Sequence, residues 1–220
     1  MHSYSDKAAS YFAHARADIA PLLPAQCSRV LELGCGAGAT LGWLRQTRSV
    51  SHCVGIEIAA DAAERARAHA DQVYCLDFEH QPLPEPQAPF DLVLCLDVLE
   101  HLMDPWAMLD RLVREHLAPG GTLIVSLPNV RHYSVVGPLV FQGRWDYADA
   151  GLLDRTHIRF FTRRSALALL QHPLLTPARY HANGFTGWRP KRVLNTLTLG
   201  LLAEFVTYQH LLSATRQPGP

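Results

Sequence analysis

From Arg29 onward, short apolar runs alternate with segments of helical spacing: RVLEL, TLGWLRQ, HCVGIEI, DAAERARAHA, QVYCL, FDLVLCL, PWAMLDRLVREHL and TLIVSL. A strand buried on one face only would alternate apolar and polar residues, whereas these runs are continuously apolar, so both faces must be covered. Strand and helix in alternation, with both sheet faces covered, predict a doubly wound α/β fold with a largely parallel sheet. Two helix starts follow from local chemistry. Asp104-Pro105 supplies an N-cap and an N1 proline to a helix expected to run to the Pro119-Gly120-Gly121 breaker, and Asp61 is read as preceding an Ala-rich helix.

The chain has 220 residues, of which 48% are apolar and 18% charged, which suits one globular core and excludes a disordered tail protein. Along the chain, residues 1–27 read as a helical lead-in, 28–128 as the repeated strand–helix core, 129–162 as a long aromatic and arginine-rich insertion of lid type, and 163–220 as the part that completes the sheet. The longest apolar stretch, Val193 to Ala203, is interrupted by Asn195 and stopped by Glu204, so no membrane span is expected. The N-terminus lacks a basic region followed by an apolar one, and the cytoplasm is the expected location. Five cysteines, Cys27, Cys35, Cys53, Cys75 and Cys95, are odd in number and none has C-x-x-C spacing, so buried free thiols are expected. Net charge is zero, yet residues 1–130 carry 9 Lys/Arg against 16 Asp/Glu and residues 131–220 carry 11 against 4. The basic second part is suited to draw in an anionic ligand.

The segment Val30-Leu31-Glu32-Leu33-Gly34-Cys35-Gly36-Ala37-Gly38-Ala39 runs a strand into a glycine-rich turn and then a helix, a device that lets backbone approach a ligand closely. Gly34, Gly36 and Ala39 satisfy G-x-G-x-x-G/A, and Glu57 lies 21 residues beyond Gly36, so a NAD-type oxidoreductase is one reading. Glu32 argues against it: an acid inside the first strand repels a pyrophosphate and suits a cationic, amino-acid-bearing cofactor. Asp77 after the third strand adds another acid.

Taken in order, these pieces resemble the class I S-adenosylmethionine-dependent methyltransferases. ELGCGAG resembles their motif I, VGIEI motif II, CLDF motif III, FDLVLCLDVLEHLMDP motif IV and LAPGGTLIVSLPN the segment around the fifth strand, and the likeness is strongest over residues 28–128. The resemblance implies a Rossmann-like, seven-stranded sheet whose last strand, near Phe205 to Leu212, is antiparallel. It implies S-adenosyl-L-methionine as cofactor and S-adenosyl-L-homocysteine as product. On this likeness Gly34, Cys35, Gly36 and Gly38 wrap the methionine part with Glu32 orienting the turn or contacting the ammonium through water. Glu57 takes the ribose hydroxyls, Ile58 lies against the adenine, Asp77 holds its amine and Phe78 offers a backbone N–H. Leu96 and Asp97 line the methionine end, and Tyr11 and Arg16 close over it from the N-terminal segment.

Methyl transfer from a sulfonium is an in-line displacement with a good leaving group, so orientation of the acceptor carries much of the catalysis. His101, after the fourth strand, is the candidate base if the acceptor arrives protonated. Asp97, Glu100 and His101 form a D-x-x-E-H cluster resembling the metal-holding one of catechol-type and ubiquinone-biosynthesis relatives, but capping and cofactor contact explain it equally and no metal is expected. In the insertion, His132, Tyr133, Arg155 and His157 are candidate acceptor-binding residues, Arg155 being alternatively a brace to Asp154 or Asp146. The expected function is methyl transfer to a small, anionic or hydroxylated acceptor, at oxygen, in the manner of ubiquinone-biosynthesis-type O-methyltransferases. An RNA methyltransferase is the alternative, disfavoured because Asp97-Val98-Leu99-Glu100 stands where N/D-P-P-Y/F would serve base amino groups. A noncatalytic cofactor-binding partner is another. Oligomeric state is not legible.

Overall fold

A computed structural model describes residues 14–83, 87–183 and 202–218. Its strands are β1 (Arg29–Leu33), β2 (His52–Glu57), β3 (Gln72–Cys75), β4 (Phe90–Leu96), β5 (Leu117–Pro128), β6 (Arg179–Asn183) and β7 (Gln209–Thr215). They form one seven-stranded sheet in the order β3-β2-β1-β4-β5-β7-β6. The first five are parallel, while β7 is inserted antiparallel between β5 and β6. The α-helices are α1 (Ala39–Thr47), α2 (Ala60–Ala66), α3 (Pro105–Arg111), α4 (Tyr133–Gln142) and α5 (Arg163–Leu169), with a single helical turn at Ala203–Val206.

The apolar strands sort their residues between two cores because successive side chains point to opposite faces. Leu31, Leu33, Val93, Cys95 and Leu212 pack in one core with the α3 residues Met108 and Leu109 and the α5 residues Ala166 and Leu169. Val30, Leu92, Leu94 and Leu211 pack in the other with Leu41 and Leu44 of α1 and Ile19 of the lead-in, which forms a 3₁₀ turn at Ala17–Leu22. The strand ends after β1, β2 and β4 therefore meet along one edge of the sheet, where open α/β sheets place their ligands.

Several local expectations shift. Asp104 does cap α3, accepting the Ala107 N–H at 3.0 Å, with Pro105 in the first turn. The helix passes into a wider turn at Leu112–His116, and β5 begins at Leu117, before the Pro-Gly-Gly breaker. Gly120, at φ 79°, allows a bulge there, and the register against β4 shifts between Phe90 and Leu92 without ending the strand. Asp61 lies inside the first turn of α2 rather than ahead of it. Cys75 is exposed, unlike the four other thiols, because it closes the short edge strand β3. The last strand starts at Gln209, since Asn129 draws the Glu204 and Thr207 carbonyls at 2.6 and 2.8 Å and holds the preceding residues in a helical turn. The sequence also reads as an insertion around Trp188 to Leu202, most of which lies outside the described residues.

Candidate active site

The turn after β1 is built on left-handed backbone. Gly34, Gly36 and Gly38 have φ of 68°, 54° and 79°. A Cβ on Gly34 would sit 3.0 Å from Val98 Cγ2, and one on Gly38 would sit 3.0 Å from the Ala66 Cα, so both position and backbone demand glycine. Glu57, buried at the end of β2, ties this turn to the next: its Oε2 accepts the Gly36 N–H at 2.9 Å and its Oε1 the Ala59 N–H at 2.8 Å. Burial raises the Glu57 pKa against the pull of these amides. Ile58, next in the chain, is a large apolar side chain half exposed at the same strand end.

Glu32 is buried one residue before the end of β1, and its Oε2 has no hydrogen-bond partner. Burial pushes its pKa up to about 8, against a bond from Thr40 and attraction to Arg16, with repulsion from Glu57 adding to the rise. Burial likewise pushes the Cys35 thiol up, aided by Glu32 and Glu57, so this cysteine is a packing thiol rather than a nucleophile.

Leu96 is buried at the end of β4, and Asp97 beyond it has φ 57°, a left-handed conformation that is uncommon outside glycine. Its carboxylate is clamped from three elements. Arg16 of the lead-in donates to Oδ2, Ser126 of β5 donates to Oδ1 at 2.8 Å, and Gln209 of β7 donates to both oxygens at 3.0 Å. Arg16 also bonds Asp18, Ser126 and Gln209. Burial works against the Arg16 charge, yet attraction to Asp97 and the bonds Arg16 donates to Asp18 outweigh it and hold its pKa above the usual range. Ser126 and Gln209 were not singled out from the sequence. The available signal was a polar residue within the otherwise apolar run TLIVSL, and Gln209 offered none.

Asp77 is partly exposed and serves its own turn, accepting the Glu79 N–H at 3.1 Å and pairing with His80 at 2.8 Å. The Phe78 ring is buried beneath the Arg111 guanidinium, 4.0 Å from its centroid, so this side chain belongs to the core. Tyr11 lies outside the described residues.

His101 closes a 3₁₀ turn, Leu99–His101, that follows β4. Its Nδ1–H donates to the Thr156 carbonyl at 3.0 Å, which leaves the lone pair on Nε2. Burial, then the neighbouring His157, lowers its pKa to about 4, so the ring is neutral at pH 7. The His157 ring stands edge-on at 4.7 Å between centroids. Glu100 beside them is fully buried, its Oε1 3.9 Å from His157 Nε2 and both carboxylate oxygens lacking hydrogen-bond partners, and burial followed by Asp97 raises its pKa well above the usual value. One ligand atom from each of Glu100, His101 and His157 falls within 4.8 Å of the others, a juxtaposition invisible before the 155–160 segment is seen to lie against the turn. That docking is made by backbone: the N–H groups of Ile158 and Arg159 both donate to the Glu100 carbonyl at 3.0 Å.

On this segment Arg155 and His157 line a common cleft with Tyr147, Ile158 and Phe160. Arg155 is braced by Asp149 at 3.1 Å, not by Asp154 or Asp146. Asp154 is buried and closes a turn onto Thr156, and Asp146 pairs with Arg144. His132 and Tyr133 are not among the cleft's lining residues. His132 is buried and caps α4, and Tyr133 stacks on it at 4.3 Å.

The model of a family described as a methyltransferase domain matches residues 4–172. The chain belongs to that family. It has the fold of class I S-adenosylmethionine-dependent methyltransferases, and S-adenosylmethionine is the cofactor of this group. The chain is 35% identical over 116 residues to a ubiquinone biosynthesis O-methyltransferase of Xylella fastidiosa, a match spanning 50% of this chain and 46% of that protein. It is 32% identical over 169 residues to a trans-aconitate 2-methyltransferase of Deinococcus radiodurans, over 74% of this chain and 59% of that one. The chain thus spans about half to three fifths of these curated relatives. Among solved structures, a SAM-dependent methyltransferase of Archaeoglobus fulgidus superposes with a TM-score of 0.66 at 18% identity, covering 94% of this chain and 97% of that one. The antiparallel β7 expected of a methyltransferase is present, inserted as the resemblance implied.

Proposed function

We propose that this methyltransferase transfers the methyl group of S-adenosylmethionine to an oxygen of a small, hydroxylated or anionic acceptor seated at the cleft beside His101. The observation that carries the reading is the convergence, at the ends of β1, β2 and β4, of a left-handed glycine turn, a buried acid with an orphaned oxygen and the neutral His101 ring. When bound, the cofactor supplies an electrophilic methyl on a sulfonium. The chain's residues divide the remaining work. Glu32 offers an acceptor to the ammonium, and Gly34, Cys35, Gly36 and Gly38 leave room for the methionine part. Glu57 has lone pairs for the ribose hydroxyls beyond those taken by Gly36 and Ala59. Ile58 covers the adenine, while Asp77 and the Phe78 backbone meet its edge. Leu96 and Asp97 bound the methionine end, with Arg16 held there by Asp97. His101 takes the proton of an acceptor hydroxyl, and Arg155 with His157 orients the acceptor.

Titration calorimetry with S-adenosylmethionine, S-adenosylhomocysteine, NAD and NADP tests the cofactor part. Micromolar binding of the first pair alone is expected, and binding of a nicotinamide nucleotide instead would overturn the reading. A radiolabelled-methyl screen over hydroxylated acids, amines and transfer RNA tests the acceptor, with label recovered at nitrogen or in RNA as the contrary result.

A second reading is favoured by the orphaned oxygens of Glu100. Two imidazoles and a carboxylate can hold a divalent ion of the zinc or manganese type, which would polarise an acceptor hydroxyl. Metal content after dialysis against chelator, measured beside turnover, separates the two: stoichiometric metal lost in Glu100→Gln supports the ion, and full turnover without metal removes it.

A further inference from the structure

Two polar side chains of the sheet, Ser126 of β5 and Gln209 of β7, converge on the Arg16–Asp97 pair. The register explains why. Gln209 stands opposite Pro128 of β5 and Asn183 of β6, and Ser126 is two residues before Pro128, so alternation puts Ser126, Gln209 and Asn183 on one face at the end of three adjacent strands. That face meets the lead-in: Asn183 donates to Asp18 Oδ2 at 2.5 Å, and Asp18 receives the Arg16 Nε–H and an Nη2 hydrogen, both at 2.9 Å. Gln209 uses its amide both ways. Its Nε2 donates to Asp97 at 3.0 Å while its Oε1 accepts from Arg16 at 3.2 Å, a double service that neither a carboxylate nor an ammonium can give.

A carboxylate offers about four acceptor sites, and those of Asp97 are filled, on Oδ1 by Ser126 and Gln209 and on Oδ2 by Arg16 and Gln209. An ammonium at this end of the sheet is therefore left to the orphaned Glu32 oxygen. Of the five N–H groups of Arg16, Nε–H is spent on Asp18, Nη2 serves Asp18, Ser126 and Gln209, and Nη1 gives one bond, to Asp97. One Nη1 hydrogen remains. A guanidinium between two carboxylates also leaves the cluster a single negative charge, which complements a methionine part that carries ammonium and sulfonium against one carboxylate.

We propose that Ser126 and Gln209 are positioning residues: by filling Asp97 and holding Arg16 beside it, they keep the remaining Nη1 hydrogen of Arg16 for the carboxylate of the cofactor's methionine part. Without them, Asp97 has acceptor sites to spare and the planar guanidinium turns onto it with both Nη groups, which spends the hydrogen that the cofactor needs. The inference rests on the placement of Arg16 at the methionine end proposed above, and it makes the antiparallel strand β7 part of cofactor recognition.

Titration calorimetry on the full chain tests this with S-adenosylmethionine and its decarboxylated form, which keeps both cationic groups and lacks the carboxylate. Gln209→Met, similar in length but without donor or acceptor, should weaken S-adenosylmethionine about tenfold, the scale of one charge-assisted hydrogen bond, and leave the decarboxylated ligand at wild-type affinity. Ser126→Ala should act in the same sense to a smaller degree, and it serves where Gln209→Met melts below the assay temperature. In an Arg16→Met background, Gln209→Met should add nothing, since its effect passes through Arg16. Equal losses on both ligands would make Gln209 a packing residue and overturn the inference. So would wild-type affinity in the folded variants, or additive losses in the double variant. If Arg16→Met itself binds S-adenosylmethionine like wild type, the placement of Arg16 falls and the inference with it, whereas a loss confined to Arg16→Met keeps that placement and removes only the positioning role.

Discussion

Glu32 holds a proton at neutral pH because its carboxyl is buried beside Thr40 with one oxygen unpartnered. A cationic ligand that needs the ionised form must displace that proton. With the folded pKa near 8, cofactor affinity rises with pH up to that value and levels off above it. From pH 7 to 9 the expected gain in association constant is about tenfold by this linkage, and calorimetry in buffers of different ionisation enthalpy should detect the released proton. Glu32→Gln should flatten the dependence, and an unchanged slope in that variant would assign it elsewhere. The sign for stability is opposite: the folded state retains a proton that the unfolded chain loses above its ordinary carboxylate pKa, so this residue makes the apoprotein less stable as pH rises toward 8. Glu57 acts differently, since both its oxygens already hold amides. Glu57→Ala should weaken cofactor binding at least tenfold while far-ultraviolet circular dichroism stays native, and unaltered affinity would remove the ribose role. His101→Ala should lower kcat by about a hundredfold, the usual range for a lost general base, with little change in cofactor Kd. A variant as fast as wild type would leave the ring a structural part only.

At the level of elements, the β1–α1 turn and the turn after β4 are interlocked through Gly34 and Val98. Gly34→Ala imposes left-handed strain of about 1–2 kcal/mol and pushes its methyl onto Val98, which should lower Tm by roughly 5 °C for a chain of this size. Adding Val98→Ala should recover the steric share and leave the backbone share. Calorimetric melting of the single and double variants checks this, and a double variant no better than the single one would show that contact with Val98 does not matter. The helix α4 is the element that sequence reading missed. The segment was expected to be a lid-type insertion, and Gly137 and Pro138 are poor helix formers, whereas the cap at His132 and a continuous run to Gly143 carry the helix through. The Pro-Gly-Gly segment shows the converse. It punctuates the chain as expected, but by bulging a strand that has already begun, because pairing with β4 at Phe90 starts before it.

At the scale of the molecule, residues 1–130 carry a net charge of −7 and residues 131–220 one of +7, and Arg155 of the second part lines the cleft. If the basic part guides an anionic acceptor, kcat/KM for such an acceptor should fall severalfold between about 0.05 and 0.3 M salt, while that of a neutral analogue changes little. Equal salt dependence for both would locate the arginines' role away from substrate capture.

The doubly wound sheet, the glycine turn with Glu32 and Glu57, and the cap of α3 were legible in the chain because each rests on local chemistry: apolar runs of strand length, residues that tolerate positive φ, a side-chain oxygen at a helix start. These depend on neighbours within a few positions, which the order of residues states directly. The clamp of Arg16, Ser126 and Gln209 on Asp97 gathers residues up to 193 positions apart. The approach of His157 to Glu100 and His101 likewise exists only once the insertion lies back against the turn that follows β4. Their environments follow from packing: burial disfavours the charged forms of Glu100 and His101 because it withholds water from them, and no pattern of neighbouring residues encodes that. Sequence determined the fold class and the glycine turn with its two acids; tertiary structure decided which polar groups meet, and therefore which of them can bear charge.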